Sequence, residues 1–200
     1  MRIERVIVPG VFSLDGQDFD VDNNVWLVGD DDEVLVIDAP HDPVPIVEAI
    51  GGRRVTAIVL THGHNDHITA APALREATGG PIWFHPADRM LWDMVHEGIR
   101  PDEALSDGTT FHVAGTLLAA LHTPGHSPGS TCLYAADLDA VFTGDTLFQG
   151  GPGATGRSFS DKPTIVRSIR ERLLSLPGDT AVHTGHGDST TIAAEQQTID

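Results

Sequence analysis

The chain has one cysteine, Cys132, in 200 residues. An internal disulfide is therefore excluded, and the chain is consistent with a reducing compartment. Basic residues are scarce as well, with 12 Lys and Arg against 29 Asp and Glu, for a formal charge of -17. Such a balance repels polyanions, which argues against nucleic acid or an anionic membrane as partner. Long apolar runs are missing too. The start, Met1-Arg2-Ile3-Glu4-Arg5, carries charge where a signal peptide would be apolar, and no stretch approaches a membrane span, so a cytoplasmic location is the expectation. Repeats, low-complexity tracts and Ser/Gly linkers are absent. What remains, 40% hydrophobic and 20% charged, suits one soluble α/β domain over residues 1–200.

The order of periodic segments refines that class. Candidate strands at Glu4 to Val8, Asn24 to Gly29 and Glu33 to Ile37 alternate with turns such as Gly29-Asp30-Asp31-Asp32, which predicts antiparallel hairpins. A helix from Val44 to Ile50 and a strand over Val55 to Leu60 follow, then a helix around Thr69 to Ala77, a strand at Pro81 to Phe84 and a helix from Pro86 to Val95. Residues 109 to 144 read as four short strands. Beyond Pro163, Ile165, Val166, Ile169, Leu173 and Leu174 recur at helical spacing. A strand at Thr180 to His183 and a helix near Thr191 to Gln197 complete a mixed α/β layer pattern.

Directly after the apolar run Val55 to Leu60, residues 61–67 read THGHNDH. Open α/β sheets place sites at the C-terminal ends of strands. Imidazole and carboxylate are ligands for zinc and related metals. His62, His64 and Asp66 stand two apart, so on extended backbone all three project to one side while His67 points elsewhere. Residues two apart on a helix do not face each other, so the helical His-Glu-x-x-His arrangement is excluded. One metal can draw on His62 and His64 and a second on Asp66 and His67, each needing further ligands. Three later stretches offer them beside glycine: LHTPGHS at 121–127, FTGDT at 142–146 and TGHG at 184–187.

Together, THGHNDH, HTPGHSPGS, GDTLF and TGHGDSTTI, in that order, closely resemble the metallo-β-lactamase-fold hydrolases, and most nearly their short branch similar to glyoxalase II. The resemblance implies a four-layer αββα sandwich of two mixed sheets. It also implies two divalent metal ions, zinc first and iron or manganese as alternatives: one held by His62, His64 and His126, the other by Asp66, His67 and His186, with Asp145 bridging both. A bridging hydroxide completes such a site, with Asp66 a ligand and an orienter of that nucleophile. The expected activity is hydrolysis of a small acyl substrate, most nearly the thioester of a low-molecular-weight thiol. Competing readings are a lactonase, a persulfide dioxygenase with one iron held by two histidines and an aspartate, and a metal-stabilised binding protein without turnover.

Other residues are weighed individually. Asp38, ending the strand Val34 to Asp38, is expected to orient a ligand histidine. Five of the twelve basic residues (Arg157, Lys162, Arg167, Arg170 and Arg172) fall within sixteen positions, and Arg157, closest to GDTLF, is the candidate for binding an anionic part of the substrate. His41, His85, His96, His112, His122 and His183 read as surface or structural residues, with His122 the nearest to the site. Cys132 reads as core. Full-length glyoxalase II continues after its last metal histidine, whereas this chain runs fourteen residues past His186, and its GGPGATGRSFSD segment reads as a mobile loop beside the site.

Overall fold

In the computed structural model, which describes residues 1–199, the chain lays down one six-stranded sheet and then another. The first comprises β1 (Arg2–Leu14), β2 (Gln17–Gly29), β3 (Glu33–Ile37), β4 (Arg54–Val59), β5 (Ile82–Phe84) and β6 (Glu103–Ala104), in that spatial order. β1 to β3 pair antiparallel, and β3 to β6 run parallel. Parallel neighbours need crossovers. These are α1 (Pro43–Ile50), α2 (Asn65–Ile68) with α3 (Ala71–Thr78), and a 3-10 turn at Pro86–Asp88 leading into α4 (Arg89–Val95).

The second sheet begins with the antiparallel strands β7 (Thr110–Val113), β8 (Thr116–His122), β9 (Thr131–Ala135) and β10 (Ala140–Gly144). A separate small hairpin, β11 (Leu147–Phe148) and β12 (Gly151–Pro152), precedes α5 (Lys162–Ser168). β13 (Ala181–Thr184) returns parallel to β10, and β14 (Thr190–Thr191) and α6 (Ile192–Glu195) follow.

Strand alternation builds the layers. Along β2, β3 and β4, Val25, Leu27, Val34, Val36 and Ile58 face Ile46, Ile50, Leu74 and Trp92 of the helices. Their neighbours Trp26, Val28, Leu35, Ile37, Ala57 and Val59 face Phe111, Leu118, Leu133 and Phe142 of the other sheet. Period two with both faces apolar marks strands buried on both sides. Cys132, Val141 and Val182 on the far side of the second sheet pack on Ile165, Ile169, Leu173 and Ile192. The result is two mixed sheets flanked by helices on both outer faces, as the resemblance implied. Among the described residues no helix is long and apolar enough to cross a membrane.

Helix ends follow from local chemistry. The Asp42 carboxylate accepts from Val44 N at 2.9 Å and Asp161 accepts from Thr164 N at 2.9 Å, each beside a first-turn proline. α5 passes directly into a π-helical segment, Ile169–Leu173, where Leu174 N donates to Ile169 O at 2.9 Å.

Several expectations are corrected. β1 and β2 outrun the predicted Glu4 to Val8 and Asn24 to Gly29, because they continue as a two-stranded ribbon in which Phe19 and Val21 alternate with Asp18, Asp20 and Asp22, residues of low strand propensity. The ribbon closes at Asp15-Gly16, with φ 54° and 72°, the left-handed pair that a tight hairpin demands. The helix predicted around Thr69 to Ala77 starts at Ala71, preceded by the separate turn of α2. The two-residue strand β6 is too short to show a period. Part of the segment read as a loop after GDTLF, Gly151–Pro152, is instead β12, paired with β11 at the end of GDTLF.

Candidate metal centre

The loops after the strands carry the site. β4 delivers His62 and His64 on extended backbone, and the chain then turns into α2 at Asn65. This corrects the reading of residues 62–66 as one extended run: Asp66 and His67 come off a helical turn, and His67 points into the cluster. His126 lies on the loop between β8 and β9, Asp145 directly after β10 and His186 directly after β13.

All seven residues converge in three overlapping trios: His62, His64 and His126; His62, His67 and Asp145; and Asp66, His67 and His186. His64 Nδ1 lies 3.0 Å from both His62 Nε2 and His126 Nε2. In the other group, His186 Nε2 is 3.2 Å from Asp66 Oδ2 and 3.3 Å from His67 Nε2. The Asp145 carboxylate reaches both groups, 3.3 Å from His67 Nε2, 3.5 Å from His186 Nε2 and 3.6 Å from His126 Nε2.

Outer hydrogen bonds decide which ring nitrogen faces inward. His67 Nδ1 donates to Asp38 Oδ2 at 2.8 Å, His126 Nδ1 to Ala154 O at 2.9 Å and His186 Nδ1 to Asp22 O at 2.9 Å. Thr61 Oγ1 gives its proton to Asp38 Oδ2 at 2.9 Å, so His62 Nδ1, 3.1 Å away, is the donor to that hydroxyl. Four imidazoles are thus fixed in the tautomer that turns Nε2 toward the centre. His64 is reversed and presents Nδ1, leaving its buried Nε2 without a partner, as are Asp66 Oδ1 and Asp145 Oδ1. Donor atoms sharing one ion at about 2.0–2.2 Å stand about 3.3–3.6 Å apart. The donor set, its spacings and its unpartnered carboxylate oxygens therefore fit divalent cations.

Electrostatics divide the site. Burial, reinforced by neighbouring imidazoles, pushes His62 well below its usual range and His64 down to about 3, so this side repels protons. Burial acts the same way on His67 and His186, but carboxylates outweigh it. Asp145, Asp66 and Asp38 push His67 well above its usual range, and Asp145 with Asp66 takes His186 to about 10. Reciprocally, burial would raise Asp145, yet His67 and His186 hold it well below the ordinary carboxylate range. The carboxylates of the Asp66 half therefore favour positive charge there, as protons or as metal.

Close backbone approach is built in. A Cβ on Gly153 would stand 1.7 Å from Asp145 O, and one on Gly185 would stand 2.3 Å from Asp145 Oδ1.

Buried Asp88 is a component that the sequence reading missed. It accepts from Gly63 N at 2.8 Å, Ser127 Oγ at 2.6 Å and Gly129 N at 2.5 Å, tying the His62–His64 loop to the His126 loop. Asn23 and His41 were missed too. Asn23 Nδ2 contacts Asp66, His67 and His186, and its Oδ1 contacts His41. The signal was the pair Asn23-Asn24 opening the apolar run Val25 to Val28, where two buried amides call for partners. His41, not His122, is thus the additional histidine joined to the cluster, through Asn23; His122 stacks on His85, centroids 4.2 Å apart, and bonds Pro128 O. His96 bonds Ile68 O, His183 packs on Trp26 and Phe142, and His112 is exposed. Cys132 is buried, as expected.

The cluster opens into a cavity of about 530 Å³ walled by Phe12, Phe19, Val21, Phe148 and Arg157. The Arg157 guanidinium carbon lies 4.5 Å from the Phe19 ring centroid and 5.7 Å from that of Phe12, and its Nη1 donates to Gln17 Oε1 at 3.1 Å. Ser158 N donates to Asp15 Oδ2 at 3.0 Å, so the β1–β2 tip and the 153–160 loop meet as an arch. Arg167, Arg170 and Arg172 stay outside the cavity and bond Thr164, Ile199 and Asp107.

The profile of the Metallo-beta-lactamase superfamily matches residues 19–186. The chain is 36% identical to a probable metallo-hydrolase, YqgX, of Bacillus subtilis over 86% of this chain and 89% of that protein. It is 33% identical to the hydroxyacylglutathione hydrolase GloC of Haemophilus influenzae over 87% and 90%. Among solved structures, TTHA1623 in a di-iron-bound form superposes with a TM-score of 0.78 at 32% identity, covering 96% of this chain and 98% of that one. With its two-sheet sandwich and a histidine and aspartate cluster at the strand ends, the chain belongs to the metallo-beta-lactamase superfamily, a group of metal-dependent hydrolases.

Proposed function

We propose that this protein hydrolyses a small acyl substrate, most nearly the thioester of a low-molecular-weight thiol, with two divalent cations. His62, His64 and His126 would hold one and Asp66, His67 and His186 the other, with Asp145 shared. The observation that carries the reading is the convergence of these atoms at the floor of an open, apolar-walled cavity. Zinc, iron and manganese all suit the donor set. Bound there, the cations supply Lewis-acid activation of water and of the acyl carbonyl.

The remaining work falls to the chain. The Asp66 Oδ1 lone pairs, buried and without a partner, orient the attacking water by accepting one of its protons in a hydrogen bond. Phe12, Phe19 and Phe148 exclude bulk water and pack against the apolar part of the substrate. Arg157 makes no ion pair among the described residues, so its guanidinium can meet an anionic group of the thiol while stacked on Phe19. The name of the Haemophilus relative supports a thioester such as an acylglutathione.

Metal content and thiol release test this together. Protein loaded with zinc, and separately with iron or manganese, is assayed on acyl thioesters and on lactones, with oxygen uptake followed on a persulfide. Two metals per chain and metal-dependent thiol release are expected. Lactone cleavage without thioester cleavage would replace the substrate class, and oxygen consumption with a single iron would replace the reaction.

A further inference from the structure

Three features in three segments meet beside the Asp66 half of the site. Asn23 on β2 is fully buried, its Nδ2 3.1 Å from Asp66 Oδ2, 3.3 Å from His67 Nε2 and 3.4 Å from His186 Nε2. A carboxylate oxygen only accepts, so the amide atom facing Asp66 is the NH2 group. Its oxygen then faces His41 Nε2 at 2.8 Å, which must carry the proton. His41 adopts φ 48°, a backbone state uncommon for a residue with a side chain. Its ring fills the space above Gly10 on β1, where a Cβ would stand 2.2 Å from His41 Cγ. A glycine, a left-handed histidine and a buried amide are thus matched to one another. Backbone strain of this kind persists where the surroundings over-determine it.

The same stretch of β2 grips the His186 turn. Asn24 N donates to Gly185 O at 2.8 Å, Asn24 Nδ2 donates to Thr184 O at 3.0 Å and to Gly187 O at 2.9 Å, and Asp22 O receives His186 Nδ1. Residues 22–24 therefore fix the distance between a ligand from the first sheet, Asp66, and one from the second, His186. Asn23 is the member of that group whose side chain touches both.

We propose that Asn23, held by His41, is a positioning residue for the Asp66–His67–His186 cation site. Its amide donates to Asp66 Oδ2, fixing the rotation of that carboxylate and its separation from His186 Nε2, while His41 keeps the amide from turning over. The inference rests on the two-cation reading above. Outer hydrogen-bond partners of metal ligands are worth about 10–100-fold in affinity.

The test is zinc titration of the metal-stripped full chain against a competing chromophoric chelator, with metal-free thermal unfolding in parallel. Asn23→Ala should weaken one of two sites by about 10–100-fold, leaving the other site as in wild type. In a His126→Ala background, where only the Asp66 half is complete, the same loss should persist, which assigns the site. His41→Gln, which retains an N–H donor at similar reach, should bind as wild type, whereas His41→Phe should reproduce part of the loss. Wild-type affinity at both sites in Asn23→Ala would overturn the proposal. So would equal weakening of both sites with a lowered metal-free midpoint, since Asn23 would then be a packing residue only. A wild type that takes up a single ion would remove the two-cation reading itself, and this proposal with it.

Discussion

Asp38 Oδ2 accepts from His67 Nδ1 at 2.8 Å and from Thr61 Oγ1 at 2.9 Å, and Thr61 Oγ1 in turn receives His62 Nδ1. One buried carboxylate, itself at φ 66°, thereby sets the tautomer of a histidine in each half of the site. Asp38→Asn should lower affinity at both halves, by about 10–100-fold at the directly bonded His67. Competition titration with a chelator checks this, and an unchanged second-half affinity would remove the orienting role.

Asp145 touches both groups, so Asp145→Ala should lose bound metal and activity while keeping the fold by circular dichroism. Gly185→Ala isolates the geometric requirement. Its new Cβ would crowd Asp145 Oδ1 at 2.3 Å and His67 Cε1 at 2.9 Å. We expect about 1–3 kcal/mol of destabilisation together with weaker metal binding, read by denaturant unfolding and elemental analysis. Full metal content in Gly185→Ala would show that the carboxylate can sit elsewhere.

The raised His186 value gives a pH prediction for the metal-free protein. Asp145 and Asp66 outweigh burial and take it to about 10, so the imidazole stays protonated at neutral pH. Its contribution to stability is complete below the unfolded value of about 6.5 and fades as pH rises through about 10. NMR titration of the His186 ring in the metal-free protein checks the value. A midpoint near that of free histidine would refute the charge assignment.

Buried Glu195 provides a contrast outside the site. It accepts from Thr190 Oγ1 at 2.7 Å, Thr198 Oγ1 at 2.8 Å and Gly150 N at 2.9 Å, fastening the C-terminal turn to the β11–β12 hairpin. Glu195→Ala should cost about 1–3 kcal/mol, measured by chemical denaturation, with metal content intact. Metal loss in that variant would mean that the fastening reaches the ligands.

The layered class was legible because β3 and β4 carry unbroken apolar runs and the later strands are spaced by turns. The residues of the cluster were legible because they fall in short motifs that follow strands. The β1–β2 ribbon was not, since its outer half is stabilised by pairing rather than by burial, and the alternation of Phe19 and Val21 is short and set among aspartates, which disfavour strands. Asp88, Asn23 and His41 escaped for another reason. Their roles depend on contacts between segments 25, 43 and 18 positions apart, whose partners no local pattern names, even where Asn23-Asn24 beside an apolar run signals that partners are needed. His67 lies beside Asp66 and His186 on a different backbone from the one expected, because the turn of α2 begins one residue after His64.

The two sheets are consecutive in sequence, β1 to β6 ending at Ala104 and β7 beginning at Thr110, so the chain crosses between them at residues 105–109. Each ligand trio takes two members from before that crossing and one, His126, Asp145 or His186, from after it. Neither half alone owns a complete set. Cleaved in the crossing, the protein should behave as a pair of complementing fragments whose reassociation is strengthened by zinc and reversed by a chelator, with size-exclusion chromatography as the readout. Association indifferent to metal would show that the apolar seam between the sheets suffices without the ion as a rivet.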